Sequence, residues 1–505
     1  MGPRARRDGG RAGAALLAAL ALVACAAVAP AGEADAVPGA PADAAPGAPA
    51  AKRAPAAVEH LPGTGSYAVV VSRATWDDAA WRKAAEALRA KYAAHVVIYG
   101  GAVGDVRPAL ASIFPRYACF VARPEEAGLE FVVAVHRLTR SLDDDPYTDL
   151  LWGILTGYDA GDALRIASRR EPLVVRRALA GTGIDLDAFD EGRWFSEGEQ
   201  GVLWEKRPGA KPEKKEGPAD ATAAIVEALN TGAADLVLTS GHATTRDWQI
   251  GYSFKSGQLR SRAGRLYGLD LGGKEHPVDS PNPKVYLPAG NCLVGRMAGA
   301  DCMAAAFMHS AGVYQMYGYV VPTWHGYGGW GVLDLFVGRP GRYTLAEAFY
   351  VNTQALVHEL ESRFPRAARV AFDRFDLEAD PGLVGRLAAE HGLRDREELG
   401  LLWDRDTVAF YGDPAWEARL APRPLAWRET VTAAGGVYTF TVAADRDAEP
   451  KRPPAAFLPH RVKDVRILEG ADLAPVITDN FILLGKPAKL EGGKSYKVVF
   501  KAARQ

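Results

Sequence analysis

Short apolar runs alternate with helix-period stretches from residue 67 onward, and this alternation leaves few folds open. Tyr67-Ala68-Val69-Val70-Val71, His95-Val96-Val97-Ile98-Tyr99 and Tyr117-Ala118-Cys119-Phe120-Val121 lack the polar alternation of a strand with one wet face. Such runs suit strands buried on both sides. Between the first two, Ala80, Ala84, Leu88 and Tyr92 recur at four-residue spacing, so a helix is expected over 77–92 and another over 106–114. The pattern continues with a helix over 131–142, a strand over 150–154, a helix over 162–179, a helix over 221–230 and a strand over 235–239. Strand, helix, strand alternation of this kind predicts an α/β domain whose largely parallel sheet is flanked by helices. The charged, Pro-rich stretch 205–220 reads as an exposed loop.

The N-terminus precedes that domain with different chemistry. Arg4, Arg6, Arg7 and Arg11 lead into an apolar run over 12–24, which has the charged and apolar regions of an export signal and is too short to span a bilayer. It ends in Leu22-Val23-Ala24-Cys25, which resembles a bacterial lipobox, so residues 1–25 read as a signal peptide and Cys25 as a lipidation candidate. Cleavage after Ala24 or Ala27 by an ordinary signal peptidase is the alternative. Either way the chain is expected to be exported, as an envelope lipoprotein or a secreted protein, with membrane contact only through a lipid. Residues 26–59 are rich in Ala, Pro and Gly, with six prolines and no aromatic residue. That segment cannot bury enough apolar surface to order itself, and it reads as a linker.

Composition narrows the function classes. With 60 Lys+Arg against 61 Asp+Glu, the net charge of −1 argues against a nucleic-acid binder held by bulk positive charge. The four cysteines make no C-x-x-C pair, so neither a disulfide scaffold nor a structural zinc site is expected. Cys119 and Cys302 read as buried thiols, or, once Cys25 and Cys292 are set apart, as the one pair that could bond.

Chemistry gathers at the carboxyl ends of strands in parallel α/β sheets. The strand 236–239 runs into Ser240-Gly241-His242, and the strand 284–287 runs through Pro288-Ala289-Gly290-Asn291 into Cys292. A thiol and an imidazole at two strand exits are the minimum equipment for nucleophilic acyl transfer. Cys292 could equally be a buried core thiol and His242 a loop imidazole. His325 lacks a strand exit before it, His309 lies in an apolar helix over 302–310, and His358-Glu359 lacks the second His of a zincin. No G-x-S-x-G elbow occurs.

Five segments resemble those of the gingipain-type (family C25) cysteine peptidases, which share the caspase-like fold. They are Asp145-Pro146-Tyr147-Thr148-Asp149-Leu150-Leu151-Trp152-Gly153, Leu238-Thr239-Ser240-Gly241-His242, Gly290-Asn291-Cys292-Leu293-Val294-Gly295, the stretch 304–330, and Thr407-Val408-Ala409-Phe410-Tyr411-Gly412-Asp413-Pro414. Together they span roughly residues 65–420. The resemblance implies a Cys/His dyad: Cys292 attacks the scissile carbonyl, His242 protonates the leaving amine, and the backbone N–H groups of Cys292 and Ala243 stabilise the oxyanion. It implies protein or peptide substrates and no required cofactor, with room for a structural calcium ion. Trp324, in the aromatic and Gly-rich stretch 322–330, is the candidate for a substrate-pocket wall. The family usually has Gly where Ala243 stands, and an Ala there restricts the backbone. The acidic residue that selects basic side chains in some members has no motif here, and Asp149, Asp185, Asp187 and Asp190 are all open.

After Pro424 the pattern changes to period two, with β-rich runs at 437–442, 465–468, 481–484 and 496–500. The expected organisation is therefore a signal peptide 1–25, a linker 26–59, a caspase-like catalytic domain 60–423 and a small all-β, immunoglobulin-like sandwich 424–505. The reading is an exported cysteine endopeptidase working through a thioester acyl-enzyme. Ala243 motivates the alternative, a catalytically inactive homologue serving as a surface-binding or scaffolding lipoprotein. A transpeptidase using the same acyl-enzyme is the third reading.

Overall fold

The computed structural model describes residues 58–280, 282–371, 382–394 and 396–505. The expectations for the signal peptide, for Cys25 and for nearly all of the linker fall on residues 1–57, outside the described residues. No helix among the described residues is long and apolar enough to cross a membrane.

A 13-stranded mixed sheet organises the larger unit. In chain order its strands are β1 (Val58–Leu61), β2 (Tyr67–Ser72), β3 (His95–Tyr99), β4 (Tyr117–Val121), β5 (Leu151–Leu155), β6 (Arg177–Ala180), β7 (Glu191–Phe195), β8 (Val202–Lys206), β9 (Glu213–Glu216), β10 (Leu236–Gly241), β11 (Lys284–Asn291), β12 (Val313–Tyr319) and β13 (Val408–Tyr411). Across the sheet they lie in the order β1-β3-β2-β4-β5-β13-β12-β11-β10-β6-β7-β8-β9. The apolar runs occupy its centre as expected: β4 and β5 are buried along nearly their whole length, because helices cover both faces.

The parallel expectation holds for the core strands of each half and fails between the halves and at the sheet's edges, where β1 pairs antiparallel with β3 and β8 antiparallel with β7 and β9. β12 and β13 pair antiparallel, so β2–β5 and β13 run one way while β6, β7 and β10–β12 run the other. The carboxyl ends of the second group therefore form their own edge, and His242 and Cys292 both leave it.

Three local expectations need correction. The helix expected over 162–179 stops at Ser168, and the rest forms the short strands Leu173–Val175 and β6. Beyond the helix, the β-branched and aliphatic residues Leu173, Val174 and Val175 pair instead with Ala418–Leu420. The charged stretch 205–220 is not all loop, since β8 and β9 pair as an antiparallel hairpin at the sheet edge, where Lys and Glu side chains can stay wet. Val58 and Glu59 belong to β1, so the ordered domain begins inside the segment read as linker. Cys119 and Cys302 are both buried free thiols, and no disulfide joins them.

The C-terminal unit is a small all-β module. Trp427–Ala434, Val437–Ala444, Ser495–Arg504 and Val462–Glu469 form one antiparallel sheet, and Ala455–Phe457, Phe481–Leu484 and Pro475–Ile477 form another. Tyr438, Phe440, Val442, Val498 and Phe500 from the first sheet pack with Ile482 and Leu484 from the second in a core of their own. Phe481 and Leu483 point the other way, into the core of the larger unit.

Candidate active site

β10 and β11 are parallel neighbours, and their last paired residues are Gly241 and Asn291. Adjacent strands lie about 4.8 Å apart, so His242 and Cys292 leave adjoining strands at the same level. The strand ends are locked together: the Asn291 side chain donates to the Gly241 carbonyl at 3.0 Å and accepts from Thr239 Oγ1 at 2.5 Å. Thr239 Oγ1 lies 2.9 Å from the Tyr286 hydroxyl, all of it buried. This fixes the spacing of the two exits independently of anything bound to them.

The turn that carries the thiol is strained. Leu293, immediately after Cys292, holds φ at 61°, in the left-handed region that costs a side-chain-bearing residue about 1–2 kcal/mol. The Leu293 N–H bonds the Val321 carbonyl and the Gly295 N–H bonds the Tyr319 carbonyl, so the strands' own ladder holds the turn in place. Cys292 is 6 % exposed, and its sulfur receives the Thr323 N–H at 3.3 Å. The sulfur also donates to the Thr323 carbonyl at 3.8 Å, so Thr323 engages the thiol through both its N–H and its carbonyl.

His242 stacks on the Tyr252 ring, with centroids 4.8 Å apart. Its carbonyl accepts from the Gln249 N–H, while the Thr244 N–H bonds the Asp247 carbonyl. Ala243, between them, bridges to Trp248, and neither of these bonds consumes the Ala243 N–H. Ala243 is not among the residues with positive φ, so Ala in place of Gly brings no backbone strain here. Trp248 belongs to an antiparallel excursion between β10 and β11, formed by Asp247–Gln249, Gln258–Arg262, Arg265–Leu269 and Glu275–Pro277. Its indole N–H donates to the Ser240 carbonyl at 2.7 Å and braces the histidine exit.

Sequence reasoning missed an acid at this edge. Glu197 follows the end of β7, and its backbone carbonyl accepts from the Tyr252 and Ser253 N–H groups. Its Oε1 accepts from Thr182 Oγ1 at 2.8 Å. Burial pushes its carboxyl above the ordinary range, against hydrogen bonds from Thr182 and Ser240 that pull it down. Ser240 connects this acid to the thiol side of the site: a Cβ added to Gly290 would stand 2.7 Å from Ser240 Oγ and 3.1 Å from the Trp330 ring. Gly290 thus lets the Ser240 hydroxyl and the Trp330 ring close directly onto the backbone two residues before Cys292. The rule that found His242 and Cys292 would have found Glu197, since it too leaves the carboxyl end of a strand.

The acids left open by the sequence lie elsewhere. Asp149 caps the Leu142 N–H, Asp185 caps the Asp187 N–H, and Asp190 pairs with Arg176 and Arg423. Asp187 lies 3.6 Å from Lys206. Asp143, Asp145 and Asp149 bring carboxylate oxygens within 4.8 Å of one another. Burial, with the neighbouring carboxylates adding to it, holds Asp145 up at about 7 and Asp149 at about 8. Trp324 lines a cavity of about 280 Å³ with Val384, Ala388, Leu393, Arg394, Arg396 and Leu399. His325 packs on Gly400, and burial lowers its pKa. His309 bonds Asp162 at 2.8 Å, far along the chain from the strand exits.

Comparisons with known proteins complete the description. No protein-family model and no curated protein matches the chain. Two solved structures match it. One, described only as the structure of a protease, has a TM-score of 0.39 at 8 % identity, over 86 % of this chain and 97 % of its own. The other is the complex of the Porphyromonas gingivalis RgpB pro- and mature domains, with a TM-score of 0.36 at 10 % identity, over 87 % of this chain and 99 % of its own.

Proposed function

We propose that this chain is an exported cysteine endopeptidase that cuts after basic side chains. The observation that carries the reading is the pair of strand exits: His242 and Cys292 leave adjoining parallel strands level with one another, the thiol on a strained turn. The Cys292 sulfur attacks the scissile carbonyl, forming the S–C bond. His242 takes up the thiol proton and delivers it to the amine as the C–N bond breaks. Water, deprotonated by His242, then hydrolyses the thioester, releasing the acid and restoring the thiol. On this reading the backbone N–H groups of Cys292 and Ala243 stabilise the oxyanion.

Glu197 supports the preference, since its carboxylate stands at the same strand-exit edge, with Oε2 3.9 Å from where a Cβ on Gly241 would lie. An extended Lys or Arg side chain reaching this edge would end at the Glu197 carboxylate, a charge-assisted partner for its cation. No step of this chemistry needs a metal. A structural calcium ion would be held by Asp143, Asp145 and Asp149, whose hard oxygen donors suit it. Added Ca²⁺ would then raise the melting temperature without changing which bond is cut, as differential scanning calorimetry would show. The export signal and Cys25 belong to the same reading, as the route to the envelope.

The test is a mixed peptide pool cut under mild reductant, with the products read by mass spectrometry. We expect cuts after Lys and Arg. Glu197→Gln should lower kcat/KM for basic peptides roughly 100-fold while sparing uncharged ones. Cuts after uncharged residues that Glu197→Gln leaves unchanged would remove the basic preference. A folded, export-processed parent that cuts nothing would remove the endopeptidase reading in favour of a surface-binding homologue.

A further inference from the structure

The C-terminal module reaches the wall of the candidate site. That wall is the first turn of the helix Tyr327–Phe336, which carries Trp330 against Gly290. From inside the larger unit the turn is held by Asp404, whose Oδ2 accepts from the Gly328 N–H at 2.9 Å and from the Tyr319 hydroxyl at 2.8 Å. The Gly329 N–H donates to that hydroxyl in turn, and its carbonyl accepts from the Tyr317 hydroxyl.

The opposite side of the same turn is held by residues of the module's connection between the strands Val437–Ala444 and Ala455–Phe457. The Arg452 guanidinium lies 3.9 Å from the centroid of the Tyr327 ring, and its Nε donates to Asn352 Oδ1 at 3.0 Å. Asn352 passes the contact on, because its Nδ2 donates to the Tyr327 and Gly328 carbonyls at 3.3 and 3.0 Å. The approach is close enough that a Cβ on Gly331 would stand 1.9 Å from Asn352 Oδ1 and 2.7 Å from Arg452 Nε. Lys451 adds an ion pair to Asp334 at 2.9 Å, two turns along the same helix. The Arg452 side chain is 14 % exposed, so its charge works in a largely dry setting where a cation over a ring and a charged donor to an amide are worth more than at the surface.

We infer that Arg452 is a positioning residue for the substrate wall, acting through Tyr327 and Asn352 on the turn that presents Trp330, so that substrate binding depends on the C-terminal module. This rests on the peptidase reading above. The dyad sits on strand ends locked by Asn291 and Thr239, which Arg452 does not touch. Losing Arg452 should therefore weaken substrate binding more than the chemical step.

The test compares Arg452→Ala, Arg452→Lys and Arg461→Ala in the full chain. Arg461 anchors the same module elsewhere, donating to the Pro115 and Asp149 carbonyls at 2.8 and 2.7 Å. With a basic peptide, Arg452→Ala should raise KM about tenfold with kcat within about twofold. Arg452→Lys, which keeps a cation over Tyr327 but loses the planar donor, should fall between Arg452→Ala and the parent. Arg461→Ala should leave KM unchanged. Hydrogen exchange gives the second readout: Arg452→Ala should speed exchange over residues 327–333, and Arg461→Ala should not. An unchanged KM and unchanged exchange in Arg452→Ala would overturn the inference, as would an equal rise in KM for Arg461→Ala. If the parent cuts no peptide, exchange alone decides: local loosening in Arg452→Ala only would uphold the positioning role while the peptidase reading falls.

Discussion

Cys292→Ala should abolish peptide cleavage, and His242→Ala should lower kcat/KM by about 10³- to 10⁶-fold. The two effects should not multiply in the double variant, because a nucleophile without its proton acceptor and an acceptor without its nucleophile fail at the same step. A second readout separates a lost dyad from a lost fold. Cys119 and Cys302 have no exposed surface, while Cys292 stands at the strand exit with the Thr323 N–H on its sulfur. Among Cys119, Cys292 and Cys302, iodoacetamide should therefore label only Cys292 in the folded parent and none in the Cys292→Ala variant. His242→Ala should slow that labelling without changing the melting temperature by more than about 1 °C, since the ring is half-buried and its main contact is one stacked tyrosine. Cleavage that persists in Cys292→Ala would show that the strand exits are not where the chemistry occurs.

Much of this site follows from the sequence because its parts obey one local rule. Leu236–Thr239 and Lys284–Leu287 read as strands from their apolar runs, and the residues that leave them read as chemistry. Register was not legible: nothing in either run says that Gly241 pairs with Asn291, and that pairing is what brings His242 level with Cys292. The reversal between β12 and β13 was hidden for the same reason, since an apolar run looks alike in either direction. Glu197 escaped notice because β7 is only half-buried and Arg-containing, and a weak strand signal gives no exit to inspect. Residues 173–180 were absorbed into a helix because Arg176 and Arg177 break the apolar run into pieces too short to register as strands. That Trp330 packs against Gly290 while Trp324 lines a cavity with Val384 and Leu399 is not legible either, because the start of the helix at Tyr327 is held by Asp404 and Arg452, distant in the chain. The Ala243 departure carried weight in the sequence only as long as its φ was unknown.

The largest expected loss of stability lies at the boundary between the two units. Arg339 and Glu429 form a two-pronged ion pair, at 2.9 and 2.6 Å, with side chains 6 % and 0 % exposed. Arg342 adds a third bond to the same carboxylate at 3.3 Å, and the Trp427 indole N–H adds a fourth at 2.9 Å. The Arg339 guanidinium also lies 4.0 Å from the Trp427 ring centroid, and its Nη2 donates to the Trp427 carbonyl at 3.3 Å. Such a pair contributes little over an apolar filling of the same shape, yet removing one partner strands the other charge in a dry interface. Glu429→Ala should therefore cost about 3–5 kcal/mol, leaving the buried Arg339 guanidinium without its anion. The exposed pair Arg262–Glu275 gives the contrast: at 2.7 Å its geometry is as good, but its side chains are 63 % and 46 % exposed, and Glu275→Ala should be close to neutral. Calorimetry should show the Glu429→Ala transition lowered by roughly 5–10 °C as one event. Phe481 and Leu483 already belong to the core of the larger unit, and Tyr343 donates to the Ala455 carbonyl across the boundary at 2.9 Å. A module that melted first, leaving the larger unit's transition untouched, would show that the two units hold together independently of this pair. Arg339→Met combined with Glu429→Leu should recover part of the loss, because the double replacement removes both charges and leaves neither stranded.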